Sequence, residues 1–189
     1  YNTEFPWMAD GQNGEISMNY GVYNALNEWE VLRLYTFKDF KDGVYRRNAV
    51  LESDRNVRFQ LADIPLANGI LRVDKVSSHV AADIVLGHYS LPELNGNAVS
   101  RKLLNIKGHD VFVIDNGKYM LAMVSLEGWR QLKFIDAQGV HPVSEKCSLI
   151  RAEDHLGDEK IYVTLQLWKE SNVGFKRDDL SPVKKISIS

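Results

Sequence analysis

A single cysteine in 189 residues is the first scarcity. Cys147 alone makes no internal disulfide, and it supplies no zinc site without help from histidine or carboxylate. That argues against a small disulfide-stapled scaffold, although a chain of this length needs no staple in any compartment. No asparagine begins an Asn-x-Ser/Thr sequon, so nothing marks a glycosylated ectodomain. Charge of one sign is missing too. The 23 Lys and Arg stand against 25 Asp and Glu, a net charge of −2. This rules out a basic nucleic-acid or membrane-surface protein on bulk electrostatics and leaves only local patches. Apolar runs fall far below the ~20 residues of a membrane-spanning helix. Residues 1–10 (YNTEFPWMAD) have neither the basic start nor the apolar centre of a secretory signal. A first residue other than Met points to an excised domain or a processed chain. With only 5 Pro, no Pro/Gly/Ser linker and no internal repeat, residues 1–189 read as one domain. The most plausible subdivision lies at residues 95–108, where polar residues precede a fresh hairpin.

Motifs that carry chemistry are equally sparse. There is no Gly-x-Gly-x-x-Gly, no phosphate-binding Gly-x4-Gly-Lys-Ser/Thr and no Gly-x-Ser-x-Gly elbow. No cofactor is therefore expected. His79, His88, His109, His141 and His155 are scattered, without His-x-His or His-Glu-x-x-His spacing. Asp83 between His79 and His88 offers the makings of a two-His-one-carboxylate site. Loop or sheet-surface histidines are the ordinary reading, and no metal site is expected. His141 precedes Cys147 across Pro142, but a thiolate nucleophile needs an apposed imidazole and an oxyanion pocket. A buried structural Cys147 is the default. Glu28 and Glu30 flank Trp29 and would share a strand face about 6.6 Å apart. Paired carboxylates at set separations hydrolyse glycosides, yet alternation also makes these two an ordinary solvent-facing pair. No catalytic residue is assigned.

Period two dominates what is present. Val57-Arg58-Phe59-Gln60-Leu61 alternates as a half-buried strand does. Ile161, Val163, Leu165 and Leu167 are interleaved by Tyr162, Thr164, Gln166 and Trp168. Val111-Phe112-Val113-Ile114 and residues 119–126 (YMLAMVSL) flank Asn116-Gly117, a strong hairpin signal because a type I′ turn needs positive φ. Asn68-Gly69 repeats the device. Asp136-Ala137-Gln138-Gly139 and Gly157-Asp158 read as further turns, and residues 183–188 (VKKISI) suit a lysine-guarded edge strand. Residues 24–37 (NALNEWEVLRLYTF) fit two readings. One is an amphipathic helix capped at Asn24; the other is a strand from Trp29 through Phe37. Aromatic and β-branched enrichment favours the strand. Asp178-Asp179-Leu180 before Pro182 reads as one helical turn. Roughly ten to twelve short strands with turn residues between them predict an all-β, mainly antiparallel two-sheet β-sandwich with little helix.

Aromatics are plentiful: four Trp, eight Tyr and seven Phe. A flat ring with a polar tip is what sugars stack on, and the same rings also fill β-sandwich cores. Trp168 and Tyr162 lie opposite the Ile161–Leu167 face, with Gln166 beside them. If that apolar face is core, they stand about 20 Å apart along the strand, six residues at ~3.3 Å each. They would then mark the ends of an extended glycan path, with the Gln166 amide between. Trp129, after Gly128, and Trp7 are further candidates for exposure. The glycan-binding candidates are Tyr162, Gln166, Trp168 and Trp129; a covering layer over Trp168 is the competing reading.

The hairpin of residues 111–126, Gly128-Trp129, Gly139-Val140-His141-Pro142 and the strand of residues 161–168 together carry a likeness. The chain resembles the carboxy-terminal or accessory β-sandwich regions of large secreted bacterial polysaccharide-degrading enzymes. The resemblance is architectural, covers most of the chain, and transfers no catalytic residue. It implies a non-catalytic module beside a catalytic domain of the same polypeptide, structural or glycan-contacting, in the periplasm or outside the cell. Polysaccharide is the implied ligand; neither nucleic acid nor membrane is an expected partner. Two other classes compete. A self-standing glycan-active hydrolase or lyase would need a pocket of converging acids. A protein–protein or adhesion sandwich would show a large apolar patch instead of a line of aromatics.

Overall fold

The computed structural model describes residues 17–23, 29–31, 34–50, 58–78, 82–141 and 144–180. Trp7, Asn24, Glu28, Val57, His79, Pro142 and residues 183–188 lie outside the described residues. The described chain is almost entirely strand. In order come β1 (Ser17–Tyr23), β2 (Trp29–Val31), β3 (Leu34–Lys41), β4 (Val44–Val50), β5 (Arg58–Leu66) and β6 (Gly69–Ser77). Then follow β7 (Ala82–Pro92), β8 (Ser100–Ile106), β9 (His109–Asp115) and β10 (Tyr119–Glu127). The last are β11 (Gln131–His141), β12 (Ser144–Leu156) and β13 (Glu159–Glu170). That makes thirteen strands among the described residues, slightly more than the pattern predicts.

These strands form two antiparallel sheets. The larger runs β3-β4-β5-β6-β13-β10-β9-β8 and the smaller β11-β12-β7-β1-β2. Strands from both sides of residues 95–108 are hydrogen-bonded neighbours in each sheet. Asn95-Gly96 is itself a tight turn, with φ of 53° and 74° and a bridge between Leu94 and Asn97. Positive φ at both central residues is the type I′ pattern; Asp42-Gly43 and Lys107-Gly108 repeat it between β3 and β4 and between β8 and β9.

The two Asn-Gly hairpins form for different reasons. At Asn116-Gly117 only the glycine has positive φ, 88°, which is the type II′ signature and not the expected I′. Asn116 Oδ1 accepts from the Lys118 and Tyr119 backbone N–H groups, both at 3.0 Å, and so holds the turn. At Asn68-Gly69 the turn falls on Ala67 and Asn68, and Leu66 pairs with Gly69. Gly69 serves close approach instead: a Cβ there would collide with the Gln166 carbonyl oxygen and sit 2.7 Å from Leu167 Cδ2.

Residues Asp136 to Gly139 are not a turn but lie inside β11, where Asp136, Ala137 and Gln138 pair with Ser148, Cys147 and Lys146. Ladder pairing overrides local turn chemistry, and Gly139 falls where the register shifts between Gln138 and His141. Within the Trp29–Phe37 segment, Trp29–Val31 and residues 34–37 are extended, as the aromatic content favours, but they belong to two strands. Trp29 to Val31 pairs with β1 in the smaller sheet, whereas β3 pairs with β4 in the larger. A single helical turn at Arg177 to Leu180 and a turn at Gly157-Asp158 match expectation.

The core explains the alternation. On β5, Phe59 and Leu61 are buried while Arg58 and Gln60 are exposed. Ile70, Ile114, Leu121 and Met123 of the larger sheet meet Leu91, Ile150 and Ala152 of the smaller in one apolar cluster. The opposite face of the larger sheet carries a second cluster, in which Leu71, Val113, Ala122, Val163, Leu165 and Leu167 pack with Leu180. Each fully buried side chain of this size contributes ~1.5–3 kcal/mol by leaving water. Strand β13, central between β6 and β10, is therefore buried on both faces. Residues 162–167 are all buried, and among its apolar side chains Ile161, at its start, is the one substantially open, at 42%.

Candidate functional site

Between the sheets, the inward face of β13 holds polar groups where an apolar stripe would be ordinary. Tyr162, Thr164 and Gln166 all point there and are fully buried. The Tyr162 hydroxyl donates to Asp154 Oδ2 of β12 at 2.9 Å. Lys160 Nζ reaches the same oxygen at 2.5 Å, with its side chain 40% exposed at the rim. That ammonium also lies 5.4 Å from the Tyr162 ring centroid. Burial pushes the Tyr162 hydroxyl well above the ordinary tyrosine range, and donation to Asp154 and the negative charges of Asp154 and Asp74 add to this. Tyr162 is thus held as a neutral donor, which suits a structural tie and not a general base.

Trp129 covers this group from the β10–β11 connection. Its ring lies 4.3 Å from that of Tyr162, tilted by 35°, and its Nε1 donates to Thr164 Oγ1 at 2.9 Å. Gly128 permits the approach, because a Cβ there would stand 2.9 Å from Tyr162 Cδ1. Farther across the sheet, Arg72 of β6 sits opposite both Thr164 of β13 and Asp63 of β5. Its guanidinium grips Asp63 with two bonds, Nε to Oδ1 at 2.5 Å and Nη2 to Oδ2 at 2.9 Å. Asp74, also buried, sits opposite Tyr162. A continuous polar layer therefore spans β5, β6, β13 and β12 inside the protein.

A second charged group lies on β11 and β12. Glu153 accepts from Lys133 at 2.7 Å, Gln131 at 3.0 Å and Arg151 at 3.3 Å. Partial burial raises its carboxyl, but the bonds from Lys133 and Gln131, the Lys133 charge and the Arg151 bond outweigh that. The net shift is downward from the ordinary 4.5.

The four glycan-binding candidates are placed unevenly. Tyr162 and Trp129 touch, and Trp168 is half-buried against the apolar cluster shared by the two sheets. Gln166 is buried between them, its Oε1 without a hydrogen bond among the described residues. They form part of the interior and not an exposed line. Cys147 pairs with Ala137 and His141 with Ser144, three residues apart on β12, about 10 Å by strand rise. Among the described residues no three of His, Cys, Asp and Glu gather as metal ligands, and no helix is long and apolar enough to cross a membrane.

Asp63, Arg72, Asp74 and Asp154, none of them aromatic, complete the buried polar layer. A signal for the first three was present. On β5 the buried positions Phe59 and Leu61 continue to Asp63, and on β6 Ile70 and Val76 bracket Arg72 and Asp74 at the same period. Charges at inward positions of facing strands mark a buried ion pair.

No protein-family model matches the chain, and no curated protein matches it. Solved structures do. A heparan sulfate lyase, HepC, from Pedobacter heparinus matches with a TM-score of 0.53 at 12% identity, over 83% of this chain and 24% of that one. A mutant of the same lyase gives 0.53 at 13%, over 86% and 24%. The fold is similar to one part of a polysaccharide-degrading lyase. At such identities the likeness is one of fold alone, and the chain spans about a quarter of the lyase's length. A heparinase III structure also aligns, with a TM-score of 0.49 at 10% identity, over 82% of this chain and 23% of that one.

Proposed function

We propose that this chain is an accessory β-sandwich domain of a larger carbohydrate-active protein, packed beside a catalytic domain of the same polypeptide. The observation that carries the proposal is the fold likeness to a heparan sulfate lyase, which takes in 83% of this chain but only 24% of the lyase. The polar layer supports a non-catalytic role. Acid–base groups must come within hydrogen-bonding reach of a substrate, and Tyr162, Asp154, Asp63 and Arg72 are instead buried and bonded to one another. A bacterial source, a periplasmic or extracellular location and contact with polysaccharide belong to the same proposal.

The test has two arms. The purified chain is incubated with heparan sulfate and with neutral polysaccharides, and unsaturated and reducing ends are measured. No cleavage is expected. The parent enzyme is then prepared with and without this domain, and loss of the domain is expected to lower its unfolding temperature. Polysaccharide cleavage by the chain alone would refute the accessory role, as would a parent that carries no carbohydrate-active domain.

A further inference from the structure

Along one side the two sheets end in the edge strands β8 and β11. Register sets Arg101 and Leu103 of β8 opposite Ile114 and Phe112 of β9, so both share the face turned toward the smaller sheet. Arg101 reaches across. Its Nε and Nη2 donate to Ser148 Oγ at 3.3 and 3.0 Å, and Nη2 also pairs with Asp136. The guanidinium lies over the Phe134 ring, 5.9 Å from its centroid. Phe134 packs against Phe112 at 5.1 Å, tilted by 50°. Ser148 is buried and the two phenyl rings are half-buried. Leu103 is 57% exposed, and the Asp136 side chain is 84% exposed.

An exposed ion pair contributes only ~0–1 kcal/mol, so stability alone gives little reason to fix this guanidinium against a buried serine. Once fixed, the Arg101 side chain is still 31% exposed, and Asp136, at 84%, turns acceptor positions to water. Leu103 and the rims of Phe112 and Phe134 supply apolar surface alongside. A pyranose ring has the same double character: C–H groups on its face, and hydroxyls that donate to a carboxylate and accept from a guanidinium. The charges of Arg101 and Asp136 cancel locally, which suits hydroxyls better than a dense anion. We propose that this edge surface, centred on Arg101, Leu103, Phe134 and Asp136, binds a sugar ring of a polysaccharide chain. It rests on the carbohydrate reading above and gives that reading a location.

Affinity gel electrophoresis of the intact chain in heparan sulfate and in a neutral β-glucan tests the site. Leu103→Ser and Asp136→Asn sit at exposed positions, and circular dichroism verifies that both variants fold. At least one polysaccharide is expected to retard the unaltered chain, with each variant raising the dissociation constant about tenfold. Equal retardation of variants and unaltered chain would overturn this site and leave the accessory-domain reading standing. No retardation by either polysaccharide would also overturn it, while the truncated parent enzyme decides the domain reading separately. A concentration-dependent dimer abolished by Leu103→Ser would assign the surface to a second copy and overturn the proposal.

Discussion

Replacing Asp63 with alanine strips the carboxylate from Arg72 and leaves the guanidinium in place. The two side chains are 2% and 1% exposed, so water cannot substitute for the lost partner. With an effective dielectric of about 20 and charge centres ~3 Å apart, their gross attraction is about 5 kcal/mol. Desolvation offsets most of that in the intact pair, but the variant keeps the desolvation and loses the attraction. The expected cost is therefore ~3–5 kcal/mol, a large share of the ~5–15 kcal/mol that holds an ordinary domain together. Urea denaturation followed by tryptophan fluorescence reads this as a lower midpoint at unchanged slope. Replacing both partners, Asp63→Leu with Arg72→Met, removes both charges of the pair and is expected to fall close to the unaltered protein or above it. A single replacement costing under about 1 kcal/mol, or a double as damaging as the single, would refute the buried-pair account.

Three further outcomes follow from the geometry. Glu153 has a folded-state pKa below 4.5, so its ionised form stabilises the fold above the unfolded value, and that contribution is lost as pH falls through the folded one. Glu153→Gln is accordingly expected to melt lower than the unaltered chain at pH 7 and to converge with it in acid; a difference that widens below pH 4 would contradict the assignment. Gly128→Ala places a methyl against Tyr162 at a φ of 91° and is expected to cost more than about 1 kcal/mol by urea titration, with a neutral result refuting the close approach. Trp168→Ala, at a half-buried site, is expected to cost about 2 kcal/mol, short of the ~3–5 of a fully buried tryptophan, and an unaltered melting temperature would show that Trp168 contributes nothing to the core.

Period and turn chemistry are local properties, and they made local structure legible. The alternation of Phe59 and Leu61 and the Asn116-Gly117 hairpin could be read directly from the chain. Sheet membership could not. The alternation through Trp29, Val31, Tyr35 and Phe37 is the same whether the chain stays in one sheet or moves to another, and here it moves. Asp136 to Gly139 carries turn residues, but pairing with β12 supplies the hydrogen bonds that a turn would otherwise provide. On β13 the pattern separates two faces without saying how many are covered. Tyr162, Thr164 and Gln166 look like a solvated or ligand-facing side until the smaller sheet lies over them.

The Asp63–Arg72 pair shows what a register argument adds to composition. Once the turn at Ala67 and Asn68 sets Leu66 against Gly69, three steps back along each strand bring Asp63 against Arg72. Opposite charges at facing inward positions constrain the pairing from a distance. A one-residue slip of β5 on β6 would turn one strand's inward set to the other face and leave a charge unpaired in the interior. The ion pair therefore acts against misregister more than it adds to stability. On this account the Asp63→Leu and Arg72→Met double variant keeps its unfolding midpoint but loses the penalty on slipped pairing. Duplicated or broadened amide resonances along β5 and β6 are the expected signature in nitrogen-15 spectra. A single sharp set, equal to that of the unaltered chain, would show that the hairpin turn and the flanking apolar residues hold the register without the pair.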